Sequence, residues 1–137
     1  MEKLTANMKE LISLAIREDL GTGDHTSASS VPAKLEREGV IIAKEAGVLA
    51  GVAVAKEVFC TVDSSLSIEA LKPDGSALEV GDVVMRITGK ARSILEAELL
   101  ALNFLQRMSG IATRTAEIVT QLEGTNCRVL DTRKTTP

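Results

Sequence analysis

The chain has 137 residues, 45% of them hydrophobic and 26% charged, with a net charge of −3, an ordinary globular composition that excludes disorder and collagen-like architecture. No apolar run approaches the ~20 residues a membrane span needs. With no Trp, no Tyr and only Phe59 and Phe104, the chain offers no stacking platform for single-stranded nucleic acid, so neither a membrane nor a nucleic acid is an expected partner.

The first ten residues, MEKLTANMKE, lack the apolar stretch of a secretory signal. Two cysteines, Cys60 and Cys127, are too few for a disulfide scaffold and read as thiols in a reducing cytosol, so the expected location is cytoplasmic. In chain order, Leu4, Met8, Leu11, Ile12, Ala15 and Ile16 follow helical spacing, and Gly21 and Gly23 stop that helix. The polar stretch GTGDHTSASS offers caps for a short helical turn before Pro32. Val40-Ile41-Ile42-Ala43 is a β-branched run between Gly39 and Gly47 and predicts a strand. Residues 52–59 predict a short helix entered through Gly51. Leu66, Ile68 and Ala70 alternate with polar neighbours, as a strand with one buried face does. Lys72-Pro73-Asp74-Gly75 and Glu79-Val80-Gly81-Asp82 are turns, and residues 83–88 a second strand, which together predict a local antiparallel meander.

From 94 to 108 the pattern is helical and apolar on several faces, which predicts a helix buried on most sides or paired with another subunit. Ser109-Gly110 predicts a break, residues 111–122 a second helix stopped by Gly124, and residues 127–130 a strand. Helix, strand and a loop just beyond the strand are how a β/α barrel begins. A whole barrel takes about 250 residues. The sequence is therefore expected to be the N-terminal part of a longer protein: an α/β (α+β) chain with an antiparallel-sheet-plus-helices domain over 1–110, then the first helix and strand of a truncated barrel over 111–137.

Charge is uneven. Residues 1–106 are net −5 and residues 107–137 net +2, so an anion is better received at the C-terminal end. There, Thr132-Arg133-Lys134-Thr135-Thr136 sets two cations among three hydroxyls. An arginine fork holds a carboxylate or phosphate through two parallel hydrogen bonds, and lysine adds a mobile point charge. A solvated charged loop has the same composition. Asp131 fits a partner for Arg133, a metal ligand or a plain turn acid.

His25, the one histidine, has no zinc-type spacing around it and reads as a hydrogen-bonded loop residue. Asp19 and Asp24 nearby fit a magnesium site or ordinary helix-end acids, and Gly21 and Gly23 make no phosphate loop because no Gly-Lys-Ser/Thr follows. Glu96 and Glu98, two residues apart on a helix, point ~200° from each other and cannot act as paired carboxylates. Arg107 and Arg114 fit either the lining of an anionic pocket or solvated helix positions.

The blocks LNFLQRMSGIAT at 102–113 and VLDTRKTTP at 129–137, with Ile16-Arg17-Glu18-Asp19, Gly23-Asp24 and Thr26-Ser27 near the start, resemble quinolinate phosphoribosyltransferase, also called decarboxylating nicotinate-nucleotide pyrophosphorylase. The resemblance runs over essentially the whole chain. It implies a glycosyltransferase of the pentosyl class, acting in NAD biosynthesis. The implied reaction joins quinolinate to phosphoribosyl pyrophosphate, with Mg²⁺, and yields nicotinate mononucleotide, pyrophosphate and CO2. It also implies substrate binding by Thr132, Arg133 and Lys134, and a homodimer or higher homo-oligomer in which one subunit's N-terminal domain helps close its neighbour's barrel site. The 137 residues alone are expected to be inactive, since the family's further site residues would lie beyond Pro137.

One position departs from the family pattern. Its usual arginine four residues before the Asn of the LNF block, which reaches the neighbouring subunit's substrate, is Leu99 here. That departure keeps a second reading open, a phosphoribosyltransferase homologue with another ligand, such as the relatives associated with molybdenum transport. A third reading is a non-enzymatic binding or dimerisation module like the small sheet domains that carry swinging cofactors. It would need an exposed hairpin-tip lysine flanked by hydrophobics, and Lys72, which precedes Pro73, fits that poorly.

Overall fold

The computed structural model describes residues 4–21, 23, 25–132 and 134. Nine elements follow in chain order: α1 (Ala6–Leu20), α2 (His25–Ser30), β1 (Glu36–Ile42), β2 (Gly47–Val48), α3 (Val52–Val62), β3 (Ser67–Ala70), β4 (Ala77–Leu78), β5 (Val83–Lys90) and α4 (Ala91–Gln121).

The helices begin and end where local chemistry dictates. Thr5 caps α1 by accepting the Met8 N–H on its hydroxyl, and Gly21, with φ of 49°, closes it. α3 starts after Gly51, a left-handed position with φ of 99°, which has no side chain to cap the helix. The cap comes from outside: Asp74 Oδ1, in the Pro73-Asp74-Gly75 turn, accepts the Val52 N–H at 2.9 Å.

The expected antiparallel pairing is present and extended by a third strand. β3 and β5 pair antiparallel, Ile68 opposite Ile87, and β1 joins the other side of β5, giving the order β1-β5-β3. β1 is longer than its apolar run, because its polar first half, Glu36, Arg37 and Glu38, is held in backbone register with Lys90, Gly89 and Thr88. β4, between β3 and β5 in sequence, pairs instead with β2 in a separate two-stranded sheet.

The core is aliphatic, as the composition requires. Phe59, Ile12, Met85, Ile87 and Val58 are its largest fully buried side chains. Ala55 of α3 and Ala97 and Ala101 of α4 are all 0% exposed, and their small side chains let the two helices pack closely.

Three expectations are corrected. Ser109-Gly110 does not break the long helix: α4 runs unbroken for 31 residues, across the expected division between 110 and 111. The Ser109 hydroxyl is spent on a neighbouring segment, and a Cβ at Gly110 would meet nothing within 4 Å, so no packing force bends the helix there. Of the two alternatives for α4, burial on most sides is corrected, and pairing with another subunit is the one its exposed apolar residues leave. The buried face of the helix is Ala91, Ser93, Ile94, Ala97, Ala101 and Leu105, while Leu95, Leu99 and Ile111 are exposed. Residues 127–130 form no strand. Among the described residues none pairs with them, and they stay exposed, Leu130 at 84%. A strand is stabilised by its neighbour, and apolar sequence alone does not hold one in water.

Candidate functional site

The segment expected to bind anions follows α4 and its Gly124 turn. Asp131 Oδ1 accepts the Thr132 N–H at 2.7 Å, and the Thr132 hydroxyl accepts the Lys134 N–H at 3.3 Å. The first bond joins neighbouring residues, and the second, from a residue two positions on, is of the kind a Ser/Thr side chain accepts from nearby backbone. One carboxylate oxygen of Asp131 is thus engaged by a backbone N–H, as in a turn acid, while its pairing with Arg133 falls outside the described residues. Thr132 and Lys134 are exposed and near each other in sequence, so a hydroxyl and an ammonium are presented together to solvent. Arg133, Thr135 and Thr136 lie outside the described residues, as does Asp24.

Leu99 lies on the exposed face of α4 at 68% exposure. A side chain placed there reaches outward from the domain and cannot act within the core. Leu95, one turn earlier, is also exposed and Leu102 is half-buried, while Glu96 and the exposed Asn103 are its polar neighbours on the helix.

A cleft of about 580 Å³ opens between the β1–β2 connection and the middle of α4, lined by Lys44, Glu45, Gln106, Ser109, Thr113 and Arg114 among others. Arg114 does line a pocket, but its guanidinium donates to Glu117 Oε2 at 2.6 Å, which offsets its charge toward an anion. Arg107 is exposed and does not line this cleft. Glu98 borders a separate groove beside β1 that Glu96 does not, in line with their divergent directions on the helix. His25 opens α2. Lys72 Nζ is held by Asp82 at 2.9 Å, so it is not the free hairpin lysine that a swinging-cofactor module requires.

Two acids are tuned by hydrogen bonds. Asp63 accepts from the Ser65 hydroxyl at 2.6 Å, the Ser93 hydroxyl at 2.7 Å and the Ser65 N–H at 2.9 Å, with Lys90 beside it, and its carboxyl is held well below the usual carboxylate range. Asp82 is lowered by the Glu79 N–H and by Lys72. Both close local turns and face no cleft chemistry. Among the described residues no group of three or more His, Cys, Asp or Glu side chains is arranged to hold a metal. Cys60 is half-buried and Cys127 exposed, and both are free thiols. No helix among the described residues is long and apolar enough to cross a membrane.

No local sequence signal points to Ser109 and Thr113 as contact residues. Val48 N–H donates to Thr113 Oγ1 at 2.9 Å and Ala50 N–H to Ser109 Oγ at 3.0 Å, across 65 and 59 residues of chain. Only the pairing of a helix with a distant strand reveals them.

Residues 24–109 match the family described as quinolinate phosphoribosyl transferase, N-terminal domain. The chain is 42% identical over 134 residues to the chloroplastic nicotinate-nucleotide pyrophosphorylase [carboxylating] of Arabidopsis thaliana, covering 97% of this chain and 38% of that protein. It is 41% identical over 130 residues to the probable nicotinate-nucleotide pyrophosphorylase [carboxylating] of Bacillus subtilis, covering 95% of this chain and 45% of that one. Among solved structures, NadC from Streptococcus pyogenes superposes with a TM-score of 0.93 at 38% identity, covering 100% of this chain and 49% of that one. The chain thus spans less than half the length of these relatives.

Proposed function

The chain belongs to the quinolinate phosphoribosyl transferase family through that family's N-terminal domain, and from that premise we propose that it works as part of an enzyme joining quinolinate to phosphoribosyl pyrophosphate in NAD biosynthesis, with release of nicotinate mononucleotide, pyrophosphate and CO2. The observation that carries this reading is the match over residues 24–109, extended by relatives named nicotinate-nucleotide pyrophosphorylase that align over nearly all of the chain.

In this reading residues 1–110 are the N-terminal domain and 111–137 the entry to a barrel. Thr132, Arg133 and Lys134 bind substrate. Quinolinate brings two carboxylates, and the phosphoribosyl donor a 5′-phosphate and a pyrophosphate. A site for them must gather cations and hold the pyridine nitrogen against the anomeric carbon. Lys134 and Arg133 suit that work as charge and orientation, the one a mobile point charge and the other a planar fork. Mg²⁺ belongs to the reading for the whole enzyme, where it would neutralise departing pyrophosphate, and the described residues are assigned no part in binding it. A homodimer and a cytoplasmic location complete the proposal.

The test is production of nicotinate mononucleotide from quinolinate and phosphoribosyl pyrophosphate by the whole purified protein. Product formation supports the reading, and its absence with correctly folded protein overturns it. A second reading, a homologue acting on another ligand, is favoured by one observation: the exposed face of α4 presents Leu99 where a dicarboxylate-binding cation would stand. Turnover of phosphoribosyl pyrophosphate with a different acceptor, and none with quinolinate, would select it.

A further inference from the structure

Residues 47–50 are bonded on both sides. On one side, Leu49 N–H donates to the Ser76 carbonyl at 2.9 Å and the Leu49 carbonyl accepts the Gly75 N–H at 2.8 Å, beside the β2–β4 pairing of Gly47 with Leu78 and Val48 with Ala77. On the other side no third strand stands among the described residues. α4 takes its place. Ala50 exchanges two hydrogen bonds with the Ser109 hydroxyl, donating its N–H at 3.0 Å and accepting the hydroxyl proton on its carbonyl at 3.2 Å. Val48 donates its N–H to Thr113 Oγ1 at 2.9 Å, and that hydroxyl in turn donates to the Ser109 carbonyl at 2.7 Å.

The two periods nearly match. Two residues along a strand advance about 6.8 Å. Four residues along a helix advance about 6.0 Å. A helix carrying hydroxyls four residues apart can therefore serve alternate residues of a strand edge, here Ser109 to Ala50 and Thr113 to Val48, running antiparallel. The approach is close enough to require glycine: a Cβ at Gly47 would lie 2.6 Å from Thr113 Oγ1, and one at Gly51 2.8 Å from Met108 Sδ.

This contact sits where α4 leaves the core. Leu105 is the last buried residue of the helix, and residues 114, 115 and 117–121 are all exposed. We propose that Ser109 and Thr113 are positioning residues, whose paired hydroxyls fix the direction of the distal half of α4 and so of Thr132 and Lys134, which follow it. The hydroxyl ladder stands on geometry alone, and its consequence for substrate rests on the function proposed above.

The test compares Thr113→Val, Ser109→Ala and the conservative Thr113→Ser in the full chain, by hydrogen exchange and by steady-state kinetics. Removing a hydroxyl should speed exchange of the Val48 or Ala50 amide by about fivefold or more. It should speed exchange across residues 114–121 as well, leave the α3 amides of Val58 and Phe59 unchanged, and raise KM for quinolinate more than it lowers kcat. Thr113→Ser should restore all of these. Unchanged exchange at Val48 and Ala50 overturns the ladder. Faster exchange there with residues 114–121 unmoved, or uniform acceleration including α3, overturns the positioning role, and so does a loosened distal helix with KM unmoved. A protein with the expected exchange pattern and no transferase activity before mutation would instead remove the proposed function and leave the positioning of the helix standing.

Discussion

Asp74 caps a helix to which it does not belong. Its Oδ1 accepts the first N–H of α3, from Val52, at 2.9 Å, across 22 residues of chain. The N-cap position itself is Gly51, whose φ of 99° excludes an ordinary capping side chain and whose missing Cβ leaves room for Met108. The turn Pro73-Asp74-Gly75 therefore does two tasks, reversing the chain and satisfying a buried helix end. Asp74→Ala should destabilise the domain by about 1 kcal/mol, the usual cost of losing an N-cap acceptor. Asp74→Asn, which keeps an acceptor oxygen, should recover most of it. Urea denaturation of the three proteins is the check, and equal midpoints would show that solvent caps Val52 as well as Asp74 does.

The aliphatic core makes one aromatic side chain indispensable. Phe59 is 1% exposed and lies among Ile12, Val58, Met85 and Ile87, with no other fully buried aromatic in the cluster. Phe59→Ala leaves a cavity that this close packing cannot fill, at a cost of about 3–5 kcal/mol. For a domain with ordinary marginal stability that is a large share of the total. Thermal unfolding should show a drop of many degrees, while Phe59→Leu should lose much less.

The local elements were largely legible in the sequence, whereas the cap that Asp74 gives Val52 was not. α1, α3 and the 72–75 turn follow from apolar spacing and from Gly and Pro at their ends, signals that lie within a few residues of the element they define. What was not legible depends on distant partners. Ser109-Gly110 reads as a stop because both residues weaken helices in isolation, yet Ala50, 59 residues away, uses the Ser109 hydroxyl and the helix continues. Glu36, Arg37 and Glu38 carry no apolar pattern of their own and are strand through backbone pairing with β5. β2 and β4 are two residues each, too short to carry a period. For the site, composition marked residues 132–136 only as cationic, and a solvated loop fitted equally well. Their assignment to substrate comes from the resemblance of the surrounding block, and physics adds why such groups suit the ligand.

Acid should probe Asp63. Three hydrogen bonds from Ser65 and Ser93, with Lys90 nearby, stabilise its charged form, so its folded pKa lies below the ordinary value of 3.8. The unfolded chain then binds the proton more tightly than the folded one. The contribution to stability is present above pH ~3.8 and is lost as pH falls from there toward the folded value. Asp63→Asn should lower the melting temperature at neutral pH, and the gap to the unmodified protein should narrow below pH 4. A gap that stays constant to pH 2 would show that the carboxylate's charge contributes nothing beyond its shape.

Leu99 gives the sharpest functional test. It is 68% exposed on α4, so replacing it should disturb packing little, within about 0.5 kcal/mol of the original stability. If the whole protein follows the family pattern, this face of the helix meets a neighbouring subunit's substrate, and leucine there forfeits a bidentate contact to a carboxylate. Hydrogen bonds to charged groups contribute about 1.5–3 kcal/mol each. Leu99→Arg should then tighten quinolinate binding by roughly ten- to a hundredfold. The gain should disappear under conditions that separate subunits, and it should be reduced by salt, because the added contact is a charge pair near the surface. Calorimetric titration of the whole protein with quinolinate, at two ionic strengths, reads all three. Unchanged affinity, with the fold intact, would mean that another side chain already holds that carboxylate or that the natural ligand carries none at this position. The second outcome would favour the homologue with a different acceptor, and titration with monocarboxylate and uncharged pyridines would then separate the two.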